Sequence, residues 1–250
     1  MCLINFAFKY HTDYPLIVVA NRDEFYNRPT ESLHWWEDKP NILAGRDLKD
    51  GGTWMGITKE GKFAALTNYR DPQHIKENVQ SRGELIPMYF NQEISLNTFH
   101  EYLKKHGSDY NGFNLIYGDT EHLFYYANKG NRWEEITPGV YGLSNAFLDT
   151  PWPKTQQSKE AFKQLLDKNV FTENTMIDLL SDKNLAAENT LPNTGVPPEL
   201  EKKLSAMFIE TENYGTRLTS YLRIDKNQQV HFIEKSFVPA DFHQFKFTIK

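Results

Sequence analysis

The sequence has a single cysteine among its 250 residues, at position 2. An internal disulfide is thereby excluded, and so is any zinc or iron–sulfur site built from several cysteines. Cysteine this sparse fits a reducing compartment. No uncharged apolar run approaches the ~20 residues that span a bilayer. The opening "MCLINFAF" has neither a preceding basic stretch nor a following small-residue cleavage site. The expectation is a soluble cytoplasmic protein with no integral membrane segment. Basic charge is also short: 28 Lys and Arg against 33 Asp and Glu leave a net charge of -5. That balance argues against a general nucleic-acid or anionic-membrane binder. P-loop, G-x-G-x-x-G and H-E-x-x-H motifs are missing, and the eight histidines show no metal-ligand spacing.

Aromatic residues are plentiful, with 17 Phe, 13 Tyr and 5 Trp, which suits an apolar pocket or a well-filled core equally. Alternation of period two in "MCLINFAFKY" predicts a strand with Cys2, Ile4, Phe6 and Phe8 on its more apolar face. "LIVVA" (16–20) reads as a strand buried on both faces that ends abruptly at "NRDE" (21–24). Further strands are expected in pairs: "TWMGIT" with "FAALTN", "FNLIYG" with "LFYYAN", "WEEIT" with "VYGLSN", and "RLTSYLRI" with "VHFIEKSF". Helical periodicity marks "SRGELIPMYF", "LNTFHEYLKKHG", "SKEAFKQLLDK", "TENTMIDLLS" and "PELEKKLSAMF". Hairpins with segregated helices mean an α+β fold with antiparallel sheets. With no repeat or low-complexity linker, residues 1–250 read as a single domain, with "AAENTLPNTGVPP" (186–198) as a mobile loop.

Two residues are candidate nucleophiles. Ser144 in "GLSNA" partly matches the G-x-S-x-G elbow, but the last glycine is missing and a strand followed by a turn accounts for it. Cys2 is the stronger candidate. With Met1 removed, which a residue as small as cysteine normally allows, it carries a thiol and a free α-amine together. An α-amine has a pKa of ~8 and can act as base toward its own side chain. The competing reading is a core thiol, because cysteine is among the most buried residue types. After "LIVVA", Asn21, Arg22, Asp23 and Glu24 gather polar groups at a strand end. An arginine there can lower a thiol pKa and a carboxylate can orient an amine, while a solvated turn explains the same residues. In "GRDLKDGGTWMG", Gly51-Gly52 reads as a tight turn. Arg46 and Asp47 either line a pocket mouth or pair with each other.

"NRDE" behind an "MC" strand is joined by "AGRDLKDGGTWMGI" (44–57), "ALTNYRDP" (65–72), "SRGEL" (81–85), "YGLSNAFLDTPWPK" (141–154) and "YGTRLTS" (214–220). Together, in this order and over nearly the whole chain, they resemble the NRDE family, whose eukaryotic members are called Transport and Golgi organisation protein 2. That family is similar to the N-terminal-nucleophile (Ntn) hydrolases of the bile-salt hydrolase, penicillin V acylase and acid ceramidase branch. The resemblance implies a four-layer αββα sandwich of two antiparallel sheets, with the nucleophile at the start of a strand between them. It implies Cys2 as nucleophile, Asp23 (or Glu24) holding the amine, and Arg22 and Arg217 tuning the thiolate. Asn68 in "FAALTN" becomes an oxyanion donor and Asn145 in "GLSNAF" a substrate-positioning residue. The branch pattern Arg-Asn-x-Asp differs in spacing from "NRDE". Asn21, Glu24, Trp54 and Tyr69 are the candidate substrate-binding residues.

Two functions of different class follow. One is a thiol amidohydrolase or acyltransferase acting on a small hydrophobic acyl substrate, amide or thioester, with no metal or organic cofactor. The other, implied by the family's association with haem movement and with lipid or acyl-CoA handling, is a non-catalytic carrier using the same pocket. Haem would then find its axial ligand in Cys2, His34, His74 or His122. A homo-oligomer stays open in both readings.

Overall fold

Cys2 heads β1 (Cys2–His11), whose side chains alternate between two apolar environments. The computed structural model describes residues 2–250; removal of Met1, on which a free Cys2 amine depends, lies outside the described residues. After β1 come β2 (Tyr14–Phe25), β3 (Thr30–Trp35), β4 (Ile42–Asp47), β5 (Met55–Thr58) and β6 (Phe63–Asn68). Helices α1 (Leu85–Tyr89) and α2 (Leu96–His106) follow, then β7 (Phe113–Gly118), β8 (Leu123–Ala127), β9 (Arg132–Glu135) and β10 (Gly139–Leu143). Helices α3 (Pro153–Asp167), α4 (Glu173–Leu179) and α5 (Pro198–Lys203) lead to β11 (Tyr214–Ile224), β12 (Gln229–Phe237) and β13 (Ala240–Thr248).

The strands form two antiparallel sheets, one of six in the order β10-β1-β2-β11-β12-β13 and one of seven running β3 to β9 in sequence. Ile4, Phe6 and Phe8 of β1 and Leu16, Val18 and Ala20 of β2 face the second sheet, meeting Met55, Ile57, Phe63 and Ile116. The intervening residues Leu3, Ala7, Ile17 and Val19 face outward under Phe162 and Leu166 of α3 and Met176 and Ile177 of α4. Sheet two is covered likewise, with Ala64, Leu66, Leu115 and Tyr117 beneath Leu85 and Ile86 of α1 and Phe99 and Leu103 of α2. The result is the four-layer αββα sandwich, in which each fully buried Leu, Ile or Phe contributes about 2 kcal/mol. Ser95 and Thr172 cap α2 and α4 by accepting from the backbone N–H three residues on. No helix among the described residues is long and apolar enough to cross a membrane.

Two local expectations are corrected. "NRDE" is strand, not the end of one: β2 is paired on one side with β1 up to Cys2↔Arg22 and on the other with β11 up to Phe25↔Tyr214. And β9 and β10 do not pair with each other. β9 lies beside β8 at the edge of the seven-stranded sheet, whereas β10 crosses to the other sheet and pairs with β1.

Candidate active site

The register Cys2↔Arg22 sends both side chains off the same face of the six-stranded sheet, toward its partner sheet. Cys2 is 9% exposed, Arg22 5% and Asp23 1%. With Glu24 they form one wall of a cavity of about 250 Å³. The seven-stranded sheet supplies the facing wall through Asp47, Trp54, Leu66 and Asn68, and the segment 79–83 completes the enclosure. Glycines make this closure fit. A Cβ on Gly52 would lie 2.3 Å from the Gly83 carbonyl carbon, so only glycine lets the two backbones meet where Thr53 N donates to Gly83 O at 3.1 Å. A Cβ on Gly45 would lie 2.3 Å from the Trp54 ring, the surface on which the Arg22 guanidinium stacks at 4.1 Å.

Burial pushes the Cys2 thiol up from its ordinary pKa; the Asp23 charge adds to the rise, while Arg22 and a hydrogen bond from the Asp23 backbone oppose it. Asp23 accepts the Thr216 hydroxyl at 2.7 Å, and the Tyr214 hydroxyl donates to the Asp23 main-chain carbonyl at 3.1 Å. Arg28 forms ion pairs with Asp47 at 2.7 Å and Asp50 at 2.5 Å. Lys154, 2% exposed, donates to Leu204 O at 3.0 Å. Burial pulls its pKa down to about 8, against the pull of Asp23.

Of the residues singled out in the sequence, Cys2, Arg22, Asp23, Glu24, Asp47, Trp54 and Asn68 line this one cavity. The Asn68 side-chain amide makes no hydrogen bond among the described residues, leaving it able to donate into the cavity. Asn145 stands behind it, fully buried, its Nδ2 donating to Asn68 O at 2.9 Å. Arg217 is the extra residue of a β-bulge in β11, where pairing with β2 slips between Thr216 and Leu218. Its guanidinium donates to Val238 O at 3.1 and 3.2 Å, to Thr30 Oγ1 at 3.2 Å and to Arg28 O. It thereby clamps the β2–β3 turn beside Arg22, whose own Nη1 reaches Thr30 Oγ1 at 3.4 Å. Asn21 faces the helices: Nδ2 donates to Leu180 O and Met207 O, both at 2.9 Å, and Oδ1 accepts from Thr219. Tyr69 lines a neighbouring cavity, its ring 5.0 Å from Phe147. Arg46 and Asp47, adjacent in β4, do not pair with each other; Arg46 binds Asp38 at 2.6 Å and Asp47 binds Arg28.

The residues around Cys2 do not fit haem. Trp54 is the one aromatic among the residues lining this cavity, seven of which are charged. None of His34, His74 and His122 lines it; they stand beside Glu31, Asp71 and Glu135, His74 in the adjoining cavity. No group of three or more metal-ligating side chains occurs among the described residues. A larger groove, about 710 Å³, shares Asp50 and Gln80 with the Cys2 cavity, and no cysteine, serine or threonine is among its lining residues.

Four charged residues at the site escaped the sequence reading as individuals: Arg82, Arg28, Asp50 and Lys154. Arg82 and Lys154 lie within stretches that carried the resemblance, "SRGEL" and "YGLSNAFLDTPWPK", but nothing in the spacing marks either side chain as facing a cavity or a core.

Two facing antiparallel sheets clad by helices, with a cysteine at the head of an inner strand, define an Ntn-hydrolase-like fold. The crystal structure of the C2A mutant of conjugated bile acid hydrolase from Clostridium perfringens aligns with a TM-score of 0.52. The alignment covers 100% of this chain and 98% of that one, at 10% identity, a likeness of fold alone. The chain belongs to the Transport and Golgi organisation 2 family, whose profile matches residues 1–239. Among curated relatives, the Transport and Golgi organization protein 2 homolog of Homo sapiens is 34% identical over 267 residues, covering 98% of this chain and 96% of that protein. Transport and Golgi organization protein 2 of Drosophila melanogaster is 27% identical over 268 residues, covering 97% and 94%.

Proposed function

We propose that this protein is an N-terminal-cysteine hydrolase or acyltransferase whose Cys2 attacks the amide or thioester carbonyl of an acyl substrate. The observation that carries the reading is the gathering of the chain's one thiol, Arg22, Asp23 and the Asn68 amide, unengaged among the described residues, around a single cavity. Likeness of fold to a bile acid hydrolase studied as its own C2A mutant supports it.

A thiol raised in pKa by burial needs a base. With Met1 removed, the Cys2 α-amine takes the thiol proton and the thiolate attacks the carbonyl carbon. Asn68 donates to the oxyanion that forms, a contribution of about 3 kcal/mol for one donor in the subtilisin precedent. The α-ammonium, held by Asp23, returns its proton to the departing amine or thiol as the C–N or C–S bond breaks, leaving a thioester on Cys2. Water deprotonated by the same amine attacks the thioester and regenerates the thiol; another amine in place of water gives acyl transfer.

The test begins with the intact mass of the purified chain, to establish loss of Met1. Incubation with p-nitrophenyl hexanoate is then expected to add one hexanoyl group to the N-terminal peptide, and none in Cys2→Ala. A folded, Met1-free protein whose Cys2 takes no acyl group overturns the reading.

A further inference from the structure

A second cavity, of about 380 Å³, adjoins that of Cys2, the two sharing Asn68, Arg82 and Asn111 as walls. Its charge is lopsided. Arg70, His74, Lys76, Arg82 and Lys129 line it against one acid, Asp71. Arg70 is matched by Glu201 from outside the cavity, and Asp71 is shared between Lys129 and His74. Lys76 and Arg82 are left with main-chain partners: Lys76 Nζ donates to Ser108 O, and Arg82 Nη1 to Gly112 O at 2.9 Å. Neither forms an ion pair among the described residues.

Burial disfavours the Arg82 guanidinium, the Glu24 charge opposes this without an ion pair among the described residues, and an anion arriving at it offsets the cost further. The planar fork suits carboxylate or phosphate, and a lysine beside it adds a second charge-assisted bond. The Cys2 cavity suits that group less well, because beside the shared Arg82 it holds four carboxylates, Asp23, Glu24, Asp47 and Asp50. There Arg28 is already held by Asp47 and Asp50, and Glu24 offsets Arg22. The charge balance therefore favours an anion next door over the thiol's cavity.

We propose that the second cavity receives an anionic group, carboxylate or phosphate, carried by the substrate whose carbonyl is presented to Cys2, with Arg82 and Lys76 as its ligands. The proposal rests on the hydrolase reading for the word substrate; the anion site itself is a matter of binding. Arg82, standing on the wall between the cavities, sets where along the substrate the charge falls relative to the scissile bond.

The test uses full-length Cys2→Ala protein, which binds without turnover, and two matched pairs of probes in calorimetric titrations. N-hexanoyl-β-alanine is compared with its neutral carboxamide, and the phosphate monoester of N-hexanoylethanolamine with the parent alcohol. At least one charged member is expected to bind about tenfold or more tightly than its neutral partner. Added salt is expected to shrink that advantage, and Arg82→Gln and Lys76→Gln each to reduce it, with Arg82→Lys retaining part. Preference for the carboxylate or for the phosphate names the group. Equal binding within both pairs, absence of binding by all four probes, or a preference untouched by the variants overturns the site. Lys76 is exposed, so Lys76→Gln keeps the test valid if Arg82→Gln does not fold. Failure of Cys2 to accept an acyl group from the activated ester sinks the hydrolase reading while leaving the binding preference measurable. An acylated Cys2 without charge preference sinks the anion site alone.

Discussion

The side-chain amide of Asn145 donates to the main-chain carbonyl of Asn68 at 2.9 Å, while the Asn145 carbonyl accepts Arg70 N at 2.7 Å. A residue expected to position substrate thus fastens the end of β6, where the proposed oxyanion donor stands. Asn145→Ala leaves the Asn68 carbonyl without that partner. The expected loss is about 1–3 kcal/mol of stability, read as a lowered urea midpoint, together with slower acylation of Cys2 in protein that remains folded.

Arg70 continues from this strand end into a buried ion pair with Glu201, their side chains 6% and 4% exposed. Thr194 donates a further hydrogen bond to the Glu201 carboxylate at 2.5 Å. Removing one partner of such a pair costs about 3–5 kcal/mol, because the other charge stays buried. Glu201→Ala is therefore expected to be strongly destabilised in urea unfolding, and the double variant Arg70→Met, Glu201→Leu to recover much of the loss. A double variant no better than the single one would show that the charges are not the source of the cost.

Glu234 is buried on β12, accepting Leu33 N at 2.8 Å, and burial pushes its pKa up to about 7. The unfolded chain releases this proton near ~4.3. Between those values the folded state holds more protons than the unfolded, so its stability falls as pH rises through the window. Below it, both states are protonated and nothing is lost. Glu234→Gln, neutral throughout, is expected to gain on the wild type from pH ~5 to ~8, by an amount of the order of 3 kcal/mol at the upper end. Melting temperatures measured across that range for both proteins check the sign; parallel curves would refute it.

Charges on either side of the thiol act in opposite directions. Burial raises the Cys2 pKa first; the Asp23 carboxylate raises it further and Arg22 lowers it. Alkylation by iodoacetamide is expected to show a midpoint above the ~8.5 of an ordinary cysteine. Arg22→Gln is expected to move that midpoint up and Asp23→Asn to move it down. Two variants shifting the same way, or not at all, would mean that these charges do not control the thiol.

Strand periodicity was legible where a strand separates two apolar layers. β1 alternates because one face meets the other sheet and the other meets α3, and "LIVVA" is continuous because both faces of β2 are covered. β3, β4 and β13 went unread. β13 is an edge strand with Phe242 52% exposed, so its alternation has little apolar contrast. At the site, Asn68 and Trp54 share the Cys2 cavity, whereas Asn21 does not, its amide being held by Leu180 O, Met207 O and Thr219. Asn21 pairs with Leu3, one residue out of step with Arg22, and so shares a face with Val19 beneath the helices. Ending the strand at "NRDE" hid that alternation. The bulge at Arg217 and the approach of 79–83 to Gly52 are tertiary matters: each depends on a strand or segment far away in sequence, and local pattern has no access to it.

The Cys2 cavity draws one wall from each sheet. Cys2, Arg22 and Asp23 move with the six-stranded sheet; Trp54, Asn68 and the segment tied to Thr53 move with the seven-stranded one. The site is accordingly a gap between layers rather than a hollow within one, and its width is set by the side chains that hold the sheets ~10 Å apart. Pruning Phe6 or Phe63, in the core between the sheets, is expected to thin that filling and to alter the spacing of the two walls with no atom of the cavity wall replaced. The spacing on which the proposed chemistry relies is thus a property of the thickness of the whole sandwich.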